Sequence, residues 1–152
     1  MITKEIMTKE VATCTPDSDV ATAARIMLER NCGFVPVVDS RGTVTGVLTD
    51  RDICRAAVTT HRTAEHIGVR QVMSAPVFAC LPDENVKTAL VTMAKHHVRR
   101  LPVLDRTGHL QGVLSIDDVV RAPRRRGSPT SDDVVDTLKA ICAPRTIEAV
   151  TV

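Results

Sequence analysis

The chain is 152 residues long, 43% hydrophobic and 25% charged, proportions that fit a folded globular protein and exclude wholesale disorder. Its 20 basic and 18 acidic residues leave a formal net charge of +2, too balanced to mark a nucleic-acid binder. Two Phe, no Tyr and no Trp exclude base stacking on aromatic side chains, so the core must be built from Val, Ile, Leu, Met and Ala.

Val11 to Cys14 is a short β-prone run, predicted as a first strand. Asp19 is placed to cap a helix whose apolar positions Val20, Ala23, Ala24, Met27 and Leu28 recur at helical spacing. Val35-Pro36-Val37-Val38 is a strand whose proline marks an edge or a strand start. Asp39-Ser40-Arg41-Gly42 is a turn, and Val44 to Leu48 returns as a second strand, giving a hairpin. Thr49 then opens a helix that runs to about Val58. Thr59 to Arg70 is a polar linker with helical potential.

Beyond it the pattern starts again. A shift of 66 positions lays Met7 on Met73, Cys14 on Cys80 and Pro16-Asp17 on Pro82-Asp83. It lays Pro36-Val37 on Pro102-Val103, Gly46-Val47-Leu48 on Gly112-Val113-Leu114, and Arg55-Ala56 on Arg121-Ala122. The register holds from Ile6 to Ala56 without a gap. The second copy has Asn85 as its cap and Val86, Ala89, Leu90 and Met93 as its helix face. Each copy reads strand, helix, strand, strand, helix, an α+β fold (α/β by some schemes). Neither copy is large enough to cover its own sheet, so the two are expected to pack as a pseudo-two-fold pair. Residues 1–60 form the first repeat and 61–122 the second, which includes the linker from 59 to 70.

The remainder, 123–152, is different. Pro123 to Pro129 is a linker by composition. Ser131 or Asp132 then caps a short amphipathic helix with Val135, Leu138, Ile141 and Cys142 on one face, ending before Pro144. That face needs an apolar surface, in its own chain or in a partner. Residues 145–152 are expected to fray.

The first ten residues carry charges where an export signal needs an apolar run, and no apolar run reaches membrane-spanning length. The five cysteines are scattered, with no C-x-x-C spacing, and read as reduced, mostly buried thiols of a cytoplasmic protein. The five histidines include no i, i+4 pair, so no metal is assigned.

The strand-to-helix junctions carry the chemistry. Gly46-Val47-Leu48-Thr49-Asp50-Arg51-Asp52 and Gly112-Val113-Leu114-Ser115-Ile116-Asp117-Asp118 share one form: Gly, two apolar residues, a hydroxyl, two variable residues, Asp. A capping box accounts for the hydroxyl and the carboxylate without any ligand. A ligand adds a second reading. Free N–H groups at a helix start suit a phosphate, and a carboxylate there suits a ribose diol.

With these marks the sequence resembles a tandem pair of cystathionine-β-synthase (CBS) domains, the Bateman module, over roughly Ile6 to Ala122. The marks are Ile6-Met7 and Val72-Met73, the two Pro-Asp pairs, Val35-Pro36-Val37 and Leu101-Pro102-Val103, and the two junctions. The resemblance implies an adenine nucleotide (AMP, ADP, ATP or NAD, in some members S-adenosylmethionine) between the copies, as a regulatory ligand and not a required cofactor. Asp52 and Asp118 would hold ribose hydroxyls, and Thr49 and Ser115 would touch phosphate or ribose. Val35, Pro36, Val37, Leu101, Pro102 and Val103 would flank adenine. Val11, Thr13, Val77 and Ala79 would supply the other wall.

The copies differ in charge. Arg99-Arg100 stand before Leu101-Pro102, where the first copy has Gly33-Phe34, and Arg51 lies in the first junction where the second has Asp117. Adjacent guanidiniums favour a polyphosphate, so Ser115 and Asp118 are expected to form the stronger site, with Arg99 or Arg100 on the phosphate. His96-His97 read as helix-end polar residues. No nucleophile–base arrangement or P-loop is present, so the chain is read as a non-enzymatic, free-standing sensor, a homodimer acting on an unidentified protein. The competing class is a ligand-independent assembly module. A nucleic-acid patch of Arg124 to Arg126 with Arg99-Arg100 is disfavoured by the charge balance.

Overall fold

Asp19 accepts the Thr22 N–H at 2.7 Å, which starts α1 (Val20–Glu29) at the predicted cap. Asn85 accepts the Lys87 N–H at 2.9 Å and starts α4 (Val86–His96) in the same way. The computed structural model describes residues 1–144. After α1 come β1 (Phe34–Val38), β2 (Val44–Thr49), α2 (Asp50–Thr60) and α3 (Val69–Val72). After α4 come β3 (Arg100–Leu104), β4 (Leu110–Ser115), α5 (Ile116–Arg121) and α6 (Ser131–Cys142). Both hairpins are antiparallel as expected, with Val35 opposite Leu48 and Leu101 opposite Leu114.

The first predicted strand of each copy is a correction. Val11 to Cys14 touches β1 at one point, Cys14 beside Val37, and the second copy repeats this with Cys80 beside Val103. Proline is the reason. Cys14 donates to the Pro36 carbonyl at 3.2 Å and accepts from the Val38 N–H at 2.9 Å. The next bond of such a parallel ladder needs an N–H from Pro36, which has none. Pro102 stops the second ladder in the same way.

The pairing outside the hairpins obeys the 66-residue shift. Thr8 bridges Val113 and Ser74 bridges Val47; Ile2 bridges Asn85 and Gly68 bridges Asp19. Thr43 bridges its own counterpart, His109, so the pseudo-two-fold passes between the hairpin turns. These bridges show an exchange that periodicity did not reveal. The segment that opens each repeat in sequence packs on the other repeat in space. Met1, Ile6 and Met7 lie against the core of Leu90, Met93, Leu101 and Leu114. Val69, Val72 and Met73 lie with Met27, Val35 and Leu48, and Ile67 lies with Val20 and Ala56. Thr3 is wholly buried in the second repeat and donates its hydroxyl to the Glu84 carbonyl at 3.1 Å.

The exchange needs a close approach at Gly112. A Cβ there would lie 2.6 Å from the Thr8 carbonyl oxygen and 2.9 Å from Met7 Sδ. At Gly46 it would meet only the Met73 side chain, Sδ at 2.6 Å. The Thr8 oxygen is held by the Val113 N–H at 2.9 Å, whereas a methionine can change rotamer. Gly112→Ala is therefore expected to cost about 2–3 kcal/mol in equilibrium urea unfolding and Gly46→Ala about 1 kcal/mol. Equal losses would show that the main-chain contact adds nothing.

The tail helix finds its apolar surface within its own chain, on α4 and α5. Val134, Leu138 and Ile141 pack on the second repeat's core. Val135 and Cys142, expected on that face, are exposed. The cap is also a correction: it is Thr130, not Ser131 or Asp132, because Thr130-Ser131-Asp132-Asp133 forms a complete box. The Thr130 N–H donates to Asp133 Oδ2 at 2.7 Å, and the Asp133 N–H donates to Thr130 Oγ1 at 3.2 Å. The expected fraying of 145–152 lies outside the described residues.

The Thr130 N–H and then Lys87, whose Nζ is 3.0 Å away, lower the Asp133 pKa from 3.8 to about 2. A lowered folded value stabilises the protein above the unfolded value and is lost as pH falls through the folded one. The melting-temperature gap between wild type and Asp133→Asn should thus be full at neutral pH and close between about pH 4 and pH 2. A gap unchanged at pH 2 would place the effect elsewhere.

Candidate functional site

Both junctions fold into complete capping boxes. Asp52 Oδ2 accepts the Thr49 N–H at 2.9 Å and the Thr49 hydroxyl at 2.6 Å, and the Asp52 N–H donates to Thr49 Oγ1 at 3.2 Å. Asp118 Oδ2 accepts the Ser115 N–H at 2.8 Å and its hydroxyl at 2.6 Å, with the return bond at 3.1 Å. Each hydroxyl has thus given its one proton to the neighbouring carboxylate. It can accept from a ligand, but it cannot donate to phosphate unless the box opens.

The remaining carboxylate oxygens differ. Asp118 Oδ1 accepts from Arg121 Nη2 at 3.0 Å. Asp52 Oδ1 has no such partner among the described residues, although Arg55 stands at the same i, i+3 position. Sequence alone did not single out Arg121 beside this junction. Its signal was available, since Arg55 and Arg121 coincide under the repeat and follow each Asp by three.

Burial sorts the other candidates: the three central residues of β1 and of β3, Pro36 and Pro102 included, are all buried. Val35, Val37, Leu101 and Val103 are wholly buried in the repeats' own cores. Their side chains therefore cannot flank a ring; their main chain remains. The opposite face of each sheet carries Phe34 beside Thr49 and Pro36 beside Val47 in the first repeat. In the second it carries Arg100 beside Ser115 and Pro102 beside Val113. Thr13 is exposed, and Val11, Val77 and Ala79 are half-buried, in the segments that lead to the Cys14 and Cys80 bridges.

The two arginines part company. Arg100 is the cross-strand neighbour of Ser115. Arg99 turns to the tail helix, its Nη2 lying 3.7 Å from Cys142 Sγ. Arg51 is exposed in the first turn of α2. His96 ends α4 and stacks on Phe78 with ring centroids 3.6 Å apart, and His97 turns the chain with φ 53°. Among the described residues no hydrogen bond or ion pair joins Thr49 or Asp52 to Ser115 or Asp118. Two surface grooves, of about 210 and 430 Å³, are lined by none of these four. Burial raises the Cys14 thiol to about 11 and the Cys80 thiol to about 12, which leaves both protonated at neutral pH.

The family model of the CBS domain matches residues 3–59 and again 69–125. The chain is a CBS-domain protein. It is 35% identical over 116 residues to the CBS domain-containing protein YhcV of Bacillus subtilis, covering 76% of this chain and 81% of YhcV. The CBS pair of protein MJ0100, solved with 5′-methylthioadenosine and S-adenosyl-L-methionine, is 25% identical with a TM-score of 0.73, over 80% of this chain and 94% of that one. The CBS protein PAE2072 of Pyrobaculum aerophilum, solved with AMP, shares the fold at 22% identity and a TM-score of 0.73, over 80% and 92% of the two chains. The chain also matches longer acetyltransferases, of which it spans 23%. In this CBS pair the matched segments include the opening stretch of each repeat, Thr3 onward and Val69 onward, which the fold exchanges. No helix among the described residues is long and apolar enough to cross a membrane.

Proposed function

We propose that this CBS pair is a regulatory module that binds an adenine nucleotide on the face of its hairpins turned away from the cores. The observation that carries the reading is the duplicated Ser/Thr–Asp box, each box closing a sheet face that ends in Pro36 or Pro102. That it stands in a family with adenosine-bound members adds support. Asp52 and Asp118 accept ribose hydroxyls, and Thr49 and Ser115 orient those carboxylates. Adenine lies against the main chain of Val35 to Val37 or Leu101 to Val103, with Val11 and Thr13, or Val77 and Ala79, beside it. Arg100 receives phosphate in the second repeat; Arg51 is the only guanidinium offered by the first junction itself. The ligand is AMP, ADP, ATP or NAD, and it acts by fixing one arrangement of the repeats. It can do so only through a difference in affinity between arrangements. The protein works in the cytoplasm without catalysis, as a homodimer that presents the altered surface to a protein target.

Titration calorimetry with AMP, ADP, ATP and NAD tests this. Saturable binding of one of them is expected. Heat from none of them would leave the second reading, a ligand-independent assembly module, which the self-sufficient capping boxes favour.

A further inference from the structure

The linker between α5 and α6 carries three consecutive arginines, Arg124 to Arg126, which take no part in either junction. They do not form one patch with Arg99. Arg99 reaches Cys142 at the end of α6, whereas Arg124 reaches its start, with Nη2 2.7 Å from Ser131 Oγ. All three side chains are exposed, and among the described residues none of them pairs with a carboxylate. Adjacent like charges repel, and an anion placed among them gains charge-assisted hydrogen bonds.

The chain turns back directly after them. The Ser128 N–H donates to the Arg125 carbonyl at 3.0 Å and Gly127 has φ 84°, which makes a type II turn. The Arg125 N–H in return donates to Ser128 Oγ at 2.9 Å. Ser128 is partly exposed and, with Arg124, lines the groove of about 210 Å³ between α5 and the start of α6.

Three hydroxyls follow the arginines, and the structure separates them. Thr130 Oγ1 accepts the Asp133 N–H at 3.2 Å as the cap of α6, and Ser131 is the first residue of that helix. Ser128 lies outside any helix, with arginine at the second, third and fourth positions before it. A kinase that selects substrates by charge offers carboxylates to such guanidiniums and must bring the hydroxyl to the transferred phosphoryl group. Arg125 and Arg126 are the exposed charges available for that recognition.

We propose that Ser128 is the acceptor of an arginine-directed protein kinase, and that Arg124 holds the phosphoryl group in the groove beside α6. ATP supplies the group: the bond from its γ-phosphorus to ADP breaks, the bond from Ser128 Oγ to that phosphorus forms, and the hydroxyl proton leaves through the kinase's base. The product carries about two negative charges at neutral pH. Its oxygens accept from Arg124, which now meets only a neutral hydroxyl, and from the Arg125 N–H. The modification thus ties the linker to the start of α6 and tightens the tail helix on the second repeat. It does not depend on a bound nucleotide.

Incubation of the full chain with ATP, Mg²⁺ and a purified arginine-directed serine/threonine kinase tests the acceptor. Peptide mass spectrometry is expected to find one phosphoryl group, on Ser128, and none in Ser128→Ala. Arg125→Ala combined with Arg126→Ala should slow the transfer about tenfold while leaving the melting temperature unchanged. No incorporation, or incorporation on Thr130 or Ser131 instead, overturns the acceptor. An undiminished rate in the double variant overturns the role of the arginines in recognition. The phosphorylated chain is expected to melt about 3 °C above the unmodified chain at low salt, and Arg124→Ala to lose that gain. A melting temperature that does not rise, or a gain that survives in Arg124→Ala, overturns the place given to the phosphoryl group.

Discussion

Leu101→Ala is expected to lower the unfolding free energy by about 3 kcal/mol, read from equilibrium urea denaturation. Leu101 is wholly buried, opposite Leu114 on the hairpin, in the cluster that contains Met93 and Val119. Six residues packed against that cluster come from outside the repeat's own stretch of sequence: Met1, Ile6 and Met7 from the exchanged segment, and Val134, Leu138 and Ile141 from the tail helix. The site can collapse little, since it is enclosed by a helix, a hairpin and the exchanged segment, so the cavity cost adds to the lost transfer energy. Val35 is its counterpart and equally buried. Val35→Ala removes fewer carbons and should cost about 2 kcal/mol. A loss below about 1 kcal/mol for Leu101→Ala would mean that the core relaxes around the hole.

Asp118→Ala should weaken nucleotide binding about ten- to a hundredfold, or roughly 1.5–3 kcal/mol, the range for a charge-assisted hydrogen bond. The same change takes the acceptor from the Ser115 N–H and hydroxyl, and about 1 kcal/mol of folding stability should go with it. Measuring melting temperature with and without nucleotide separates the two losses. If the carboxylate only caps α5, the apo protein melts earlier and the ligand-induced shift is unchanged. If it also holds ribose, the shift itself shrinks. Asp52→Ala should behave alike at the first junction, where the second carboxylate oxygen starts without the arginine that Asp118 Oδ1 has.

Much of this architecture is legible residue by residue because its signals are local. Asp19 and Asn85 cap as their side chains suggest, both hairpins close at the predicted turns, and Thr49 and Ser115 start helices with Asp three residues on. What escaped depends on partners distant in sequence. The run from Val11 to Cys14 has strand composition, but whether it pairs was decided by Pro36, more than twenty residues away. Arg99 and Arg100 are indistinguishable as letters; strand register turns one to Ser115 and the tail helix draws the other away. Alternation puts Val35 with Val37 and Leu101 with Val103 on the core face, which could have removed their side chains from the candidate adenine wall; it does not account for Pro36 and Pro102, buried between them. The exchange of opening segments leaves no periodic trace, since the same residues are apolar whichever repeat they cover.

That exchange bears on how the two repeats fold. Met1 to Thr8 have their resting place on the second repeat, bridged to Asn85 and Val113 and packed on the core that contains Leu101. They stay unsheltered until the hairpin that carries Leu101 and Val113 has formed. Folding therefore ties segments about a hundred residues apart in sequence, and neither repeat completes its core without the other.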